Sequence, residues 1–125
     1  MPMPELSAAD ILGGIIQDDR PWGNFRQFTH NQETTVKILT VDPGQTLSLQ
    51  RHEKRDELWV VLDPGLRVQV DDDVFEPAVG AEIVIMRGSR HRLSSAGPRG
   101  RVLEIAFGFF DEDDIVRLED AYDRA

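Results

Sequence analysis

Pro43-Gly44-Gln45-Thr46-Leu47-Ser48-Leu49-Gln50-Arg51-His52-Glu53-Lys54-Arg55-Asp56-Glu57-Leu58-Trp59-Val60-Val61-Leu62 is the stretch whose reading decides the fold. It opens on a Pro-Gly turn, alternates from Thr46 to His52, breaks over a charged loop and resumes as an apolar run from Glu57. In extended chain alternate side chains share a face, so Ser48, Gln50 and His52 point one way and Leu47 and Leu49 the other. An amide and an imidazole therefore stand side by side on one strand.

Outward from this stretch the same texture continues. Strands are expected over 24–29, 34–41, 46–52, 57–62, 66–70, 82–86 and 101–108. The turns between them fall at Asp42-Pro43-Gly44, Asp63-Pro64-Gly65, Asp71-Asp72-Asp73 and Ala96-Gly97-Pro98. Short strands punctuated in this way predict an all-β sandwich or barrel. Residues 1–19 read as a lead-in: Ser7-Ala8-Ala9-Asp10 has the spacing of a capping box, and Gly13-Gly14 stops that helix after a turn or two. At the other end Asp111-Glu112-Asp113-Asp114 precedes Ile115, Leu118 and Tyr122 at helical spacing, which predicts a closing helix with acids at its start. No repeat or linker divides residues 20–125, which read as one domain.

Composition narrows the function. The 125 residues carry 14 Lys and Arg against 23 Asp and Glu, a net charge of −9, and no cysteine. A chain of this length buries enough surface to fold without a staple. Without cysteine there is no thiolate metal site and no thiol nucleophile, so any metal sits on His, carboxylate or amide groups. The net charge makes nucleic acid and anionic membrane poor partners. Neither a signal-like start nor a long apolar run is present, and a cytoplasmic location is expected.

The chemistry gathers around few residues. Gln50 and His52 share a face, the next strand opens with Glu57, and a third element reaches His91 through Met86-Arg87-Gly88-Ser89-Arg90. Two imidazoles, a carboxylate and an amide oxygen suit one divalent ion, Zn, Mn, Co or Fe. Spacing alone leaves the opposite reading open, since single histidines are commonly surface or hydrogen-bonded residues.

The order of motifs is more specific. Gly44, Gln50, His52 and Glu57 resemble the first cupin motif, with Gln in place of its first His, and Gly80, Met86, Gly88 and His91 resemble the second. Added to these are Arg20-Pro21-Trp22-Gly23, Glu57-Leu58-Trp59-Val60-Val61, His91-Arg92-Leu93 and Glu112-Asp113-Asp114-Ile115-Val116-Arg117. Together they resemble the cupin domain of type II mannose-6-phosphate isomerases, usually the C-terminal part of fusions with mannose-1-phosphate guanylyltransferase. No nucleotidyltransferase signature is present. The resemblance implies a cupin jelly-roll barrel over 20–125, metal ligands at Gln50, His52, Glu57 and His91, and interconversion of mannose 6-phosphate and fructose 6-phosphate through an enediol. It also implies a homodimer. By family position Arg55 is a candidate catalytic or phosphate-contacting residue, Glu104 a candidate base and Lys37 a candidate substrate contact; strand parity adds Ser48, and the basic clustering around the second motif adds Arg87, as further substrate contacts.

Eight of the 14 basic residues lie at Arg51, Lys54, Arg55, Arg87, Arg90, Arg92, Arg99 and Arg101, with no acid between 87 and 101. That clustering favours an anionic ligand such as a sugar phosphate. The sequence departs from the family at Glu53-Lys54, Leu58, Phe109 and Phe110, which would line the rim of the pocket. Two alternatives follow: a non-catalytic cupin that binds a sugar or sugar phosphate, and another metal-dependent cupin enzyme such as a dioxygenase.

Overall fold

A computed structural model describes residues 6–122. Its elements are a helix α1 (Ala8–Gly13) and eleven strands: β1 (Ile16–Arg20), β2 (Gly23–Gln27), β3 (Thr34–Val41), β4 (Leu49–Arg51), β5 (Glu57–Val61), β6 (Leu66–Val70), β7 (Asp73–Phe75), β8 (Glu82–Ile85), β9 (His91–Ser95), β10 (Gly100–Phe107) and β11 (Val116–Glu119). A four-stranded sheet in the order β3-β10-β5-β8 faces a five-stranded sheet in the order β11-β4-β9-β6-β7, and β1 and β2 form a separate hairpin. Every named strand pair is antiparallel.

Side-chain alternation explains the layers. From β5, Trp59 and Val61 enter the space between the sheets, where they meet Val41, Leu66, Val68, Ile85, Leu93 and Val102. The intervening Leu58 and Val60 face outward and are covered, with Ile105 and Phe107 of β10, by Ile11 of α1. β5 is thus buried on both faces, as its uninterrupted apolar run requires. Each large apolar side chain so buried contributes roughly 1.5–3 kcal/mol. The helix forms because Ser7 Oγ accepts from the Asp10 amide and the Asp10 carboxylate accepts from the Ser7 amide, the expected capping box.

Two close approaches fix the far end of the barrel. A Cβ on Gly100 would lie 2.6 Å from Leu66 Cδ2, and one on Gly65 2.5 Å from Pro98 Cγ, where φ is also +87°. Asp71 at φ 52° and Asp72 form the two-residue turn between β6 and β7.

Two expectations are corrected. The closing helix does not form; residues 116–119 are the edge strand β11, paired with β4. Its helical spacing is overridden because β4 would otherwise leave a row of backbone donors and acceptors unpaired beside the barrel mouth. The acids that were to start the helix instead make a turn: Asp114 accepts from the amides of Glu53 and Lys54 at 2.9 and 3.0 Å. At the other end, the strand β1 lies within the expected lead-in and pairs across residue 20 with β2. The hairpin is held to the main sheet by Arg26, which donates through Nε and Nη2 to Glu82 at 2.6 and 2.7 Å.

Candidate metal centre

The interior is apolar at one end and polar at the other, and strand register sets the polar end. Gln50 of β4 lies between His91 of β9 and Arg117 of β11. On the facing sheet Glu104 of β10 lies between Lys37 of β3 and Trp59 of β5, and the next inward pair is Ala106 with Glu57. The two rows look at each other across the barrel, with His52 arriving just beyond β4.

His52, Glu57 and His91 are all buried, and one donor atom from each lies within 4.8 Å of the others. His52 Nε2 is 3.7 Å from Glu57 Oε2, and His91 Nε2 is 3.8 Å from Glu57 Oε1. Both rings are oriented from behind. His52 Nδ1 lies 2.6 Å from the Asp114 carbonyl oxygen and His91 Nδ1 3.2 Å from that of Ser89. A carbonyl can only accept, so each Nδ1 carries the proton and each Nε2 turns a lone pair to the centre, the arrangement a metal-ligating histidine needs. Those lone pairs are met by N–H groups of Arg55, 3.2 Å from His52, and Gln50, 3.5 Å from His91.

This set fits a divalent ion. Donors held at about 2.0–2.2 Å from one ion stand roughly 3–3.5 Å apart, so the observed separations need only a small contraction. Gln50 stands beside this set, its Oε1 accepting from Ser48 Oγ at 2.7 Å and its Nε2 3.5 Å from His91 Nε2. Ser48 is buried and supports Gln50 rather than facing a solvent-filled pocket.

Glu57 is the hub. Arg55 Nε donates to its Oε2 at 2.9 Å and Trp59 Nε1 to its Oε1 at 3.3 Å, while Glu104 shares a hydrogen bond with it. Burial works to raise the Glu57 pKa, but the Glu104 bond and the Arg55 guanidinium help hold it below the ordinary carboxylate value. Glu104 moves the other way: burial, then its bond to Glu57 and that carboxylate's charge, push it up to about 9. Burial also lowers the His91 pKa, with Glu57 opposing.

The remaining expected residues divide. Arg55 is no exposed loop cation; it is buried, donates to the Asp111 carbonyl oxygen at 3.1 Å and lies 4.4 Å from the Phe110 ring centroid. Lys37 Nζ lies 3.9 Å from the centroid of the same ring and 3.9 Å from Glu112 Oε1. Arg87 is engaged elsewhere, its Nη2 donating to Asp56 Oδ2 at 3.0 Å and its amide to Oδ1 at 2.7 Å. The cationic cluster around the second motif is largely neutralised by acids distant in sequence: Arg90 pairs with Asp72, Arg92 with Glu119 and Arg101 with Asp63. Phe110, expected at the rim, lies against Arg55 and Lys37, whereas Trp59 and Arg117 beside the site were not among the expected site residues. Strand parity with Glu57 could have found Trp59, whereas Arg117 was hidden by the helical reading of its segment. Arg117 Nε is buried without a hydrogen-bond partner among the described residues.

Comparison with known proteins agrees with this geometry. The chain is 39% identical over 107 residues to the xanthan biosynthesis protein XanB of Xanthomonas campestris, covering 84% of this chain and 23% of the relative. It is 38% identical to the alginate biosynthesis protein AlgA of Pseudomonas aeruginosa and 36% identical to the mannose-1-phosphate guanylyltransferase ManC of Salmonella typhimurium, each over 84% of this chain and 22% of the relative. The chain therefore spans less than a quarter of the length of these relatives. Among solved structures, the capsular polysaccharide assembling protein CapF of Staphylococcus aureus superposes with a TM-score of 0.60 at 19% identity, over 84% of this chain and 32% of that one. A cupin 2 conserved barrel domain protein of Rhodopseudomonas palustris superposes at 0.59 and 19% identity, over 67% and 62%. These likenesses show the cupin barrel. The family described as mannose-6-phosphate isomerase C-terminal matches residues 16–120, and with that match the chain belongs to the family.

Proposed function

We propose that this chain is a metal-dependent sugar-phosphate isomerase that interconverts mannose 6-phosphate and fructose 6-phosphate. The observation that carries the reading is the pair of histidines whose Nε2 lone pairs converge on Glu57 while their Nδ1 protons are fixed on backbone carbonyls. Gln50, His52, Glu57 and His91 would hold one divalent ion. A bound ion supplies Lewis-acid polarisation of the sugar's carbonyl and hydroxyl oxygens.

The chain's own residues supply the rest. Glu104 keeps its proton at neutral pH and faces the same space, so it gives that proton to the carbonyl oxygen on carbon 1 while a separate base takes the proton from carbon 2; it then takes the proton from the oxygen on carbon 2 as that base returns its own to carbon 1. It therefore acts first as a donor, not as the base expected from the sequence. Arg55 balances the Glu57 charge and fixes that carboxylate's orientation. Lys37, whose side chain is more than a third exposed, is the cation placed to meet the substrate phosphate at the mouth. The Phe110 ring lies against both Arg55 and Lys37, and so sits beside the two cations nearest the centre.

The relatives' names support the sugar-phosphate class, since ManC is named for mannose 1-phosphate. Pairing of two copies has support in β3, an edge strand that exposes Val36 and Ile38. No helix among the described residues is long and apolar enough to cross a membrane. The test is formation of fructose 6-phosphate from mannose 6-phosphate by the purified chain, with and without a divalent ion. Turnover that appears with the ion and disappears with chelator supports the reading; no turnover with Zn, Mn, Co or Fe removes it.

A further inference from the structure

The outer face of the five-stranded sheet carries a second concentration of polar groups. Arg67 of β6 stands opposite Ser94 of β9, and Gln69 opposite Arg92. Val74 of β7 flanks Gln69, and Thr46 bridges to Ser94. These side chains alternate with Leu66, Val68 and Leu93, which face the barrel interior, so they all lie on the opposite surface from the metal centre. A cavity of about 350 Å³ opens over them.

Its chemistry is unlike that of the chain as a whole. In a protein of net charge −9, no carboxylate lines this cavity. Two guanidiniums, two amides and three hydroxyls do, with Val74 the one large apolar contribution. Arg92 Nη2 donates to the exposed Glu119 carboxylate at 3.1 Å and to its carbonyl oxygen at 3.4 Å, while Nε is buried with no hydrogen-bond partner among the described residues. Among the described residues the Arg67 guanidinium pairs with the exposed Glu76 at 3.1 Å. Solvent-exposed pairs of this kind contribute little, so an incoming oxyanion can replace them.

We propose that this groove is a second ligand site, which takes a sugar carrying an anionic group, a carboxylate or a phosphate. The guanidiniums would receive the anion through paired N–H donors, and the hydroxyls and amides of Thr46, Ser94 and Gln69, which both donate and accept, match a polyol. The volume lies at the small end of the roughly 300–1,000 Å³ typical of ligand pockets and suits one or two sugar rings. The site is joined to the barrel interior by the chain itself. Arg92 follows His91 on β9, and Thr46 leads within a few residues to Ser48 and Gln50, so a ligand here grips the backs of the elements that carry the metal-site side chains. The proposal does not rest on the isomerase reading and stands or falls separately.

The test is a titration of the isotope-labelled chain, followed by amide resonances in the presence of chelator, with glucuronate, mannose 6-phosphate, neutral mannose and inorganic phosphate as separate probes. Saturable shifts at Thr46, Gln69 and Ser94 are expected with both charged sugars, and about tenfold weaker binding with mannose or phosphate alone, equivalent to about 1.4 kcal/mol. Arg92→Gln and Arg67→Gln are each expected to weaken the charged sugars about tenfold with the thermal midpoint little changed. If Arg92→Gln fails to fold, Arg67→Gln carries the test. Shifts confined to residues around His52 and Glu57, binding that both variants leave intact, or phosphate binding as tightly as its sugar ester would each overturn the proposal.

Discussion

Glu57 and Glu104 share a hydrogen bond inside the barrel, and their pKa values move apart: that bond and Arg55 hold Glu57 below the ordinary carboxylate value against its burial, while burial, then the bond to Glu57, pushes Glu104 up to about 9. Two carboxyl groups on adjacent strands thereby take opposite roles, one as ligand and one as proton carrier. Replacing Glu104 by Gln keeps a donor for Glu57 but removes the transferable proton. The Glu104→Gln chain is expected to fold and bind its ion as before and to lose isomerase activity by about 10²- to 10⁴-fold. Equal turnover in the coupled assay would remove Glu104 from the chemistry.

Removing the ion should be visible in stability as well as rate. An ion bound at 100 times its dissociation constant adds about 2.7 kcal/mol to the folded state. Chelation is therefore expected to lower the thermal midpoint of the native chain. His91→Gln should show no such shift and little retained metal by elemental analysis. A midpoint indifferent to chelator in the native chain would count against the centre.

Arg55 neutralises a buried carboxylate, and its removal leaves that charge uncompensated in the metal-free chain. Arg55→Ala is expected to cost about 3–5 kcal/mol, the usual penalty for breaking a buried pair from one side. Chemical denaturation of chelated protein measures this, and a loss below about 1 kcal/mol would place Arg55 in solvent instead.

The hairpin of β1 and β2 should loosen in acid. Its tether to β8 is the Arg26–Glu82 pair, and the side-chain bond from Arg26 holds the Glu82 pKa below its ordinary 4.5. A lowered folded-state pKa means the contribution is complete above 4.5 and is lost as pH falls through the folded value beneath it. Amide exchange in residues 16–27 is expected to accelerate relative to β5 in that window, and Glu82→Gln should show the acid behaviour already at neutral pH.

Gly100 tests the packing of the apolar end. A methyl group there meets the Leu66 side chain at 2.6 Å, so Gly100→Ala is expected to destabilise by about 1–3 kcal/mol in urea denaturation. A neutral or stabilising result would show that Leu66 has room to turn.

Much of the architecture follows from the order of residues alone. Pro-Gly and Asp turns set the reversals, the spacing of Ser48, Gln50 and His52 brings these side chains to one end of the barrel, and a continuous apolar run marks β5 as buried on both sides. These features are local, carried by backbone preferences and a two-residue period, and the chain states them without reference to its distant parts. Other decisions needed the closed barrel. Residues 116–119 became a strand because β4 offered an unpaired edge, and the basic cluster at 87–101 was neutralised by Asp56, Asp72, Glu119 and Asp63, none of them nearby in sequence. The proton on Glu104 likewise depends on burial against Glu57, which register across two strands supplies. Pairing, charge balance and protonation are set by distances between residues far apart along the chain, and only folding fixes those distances.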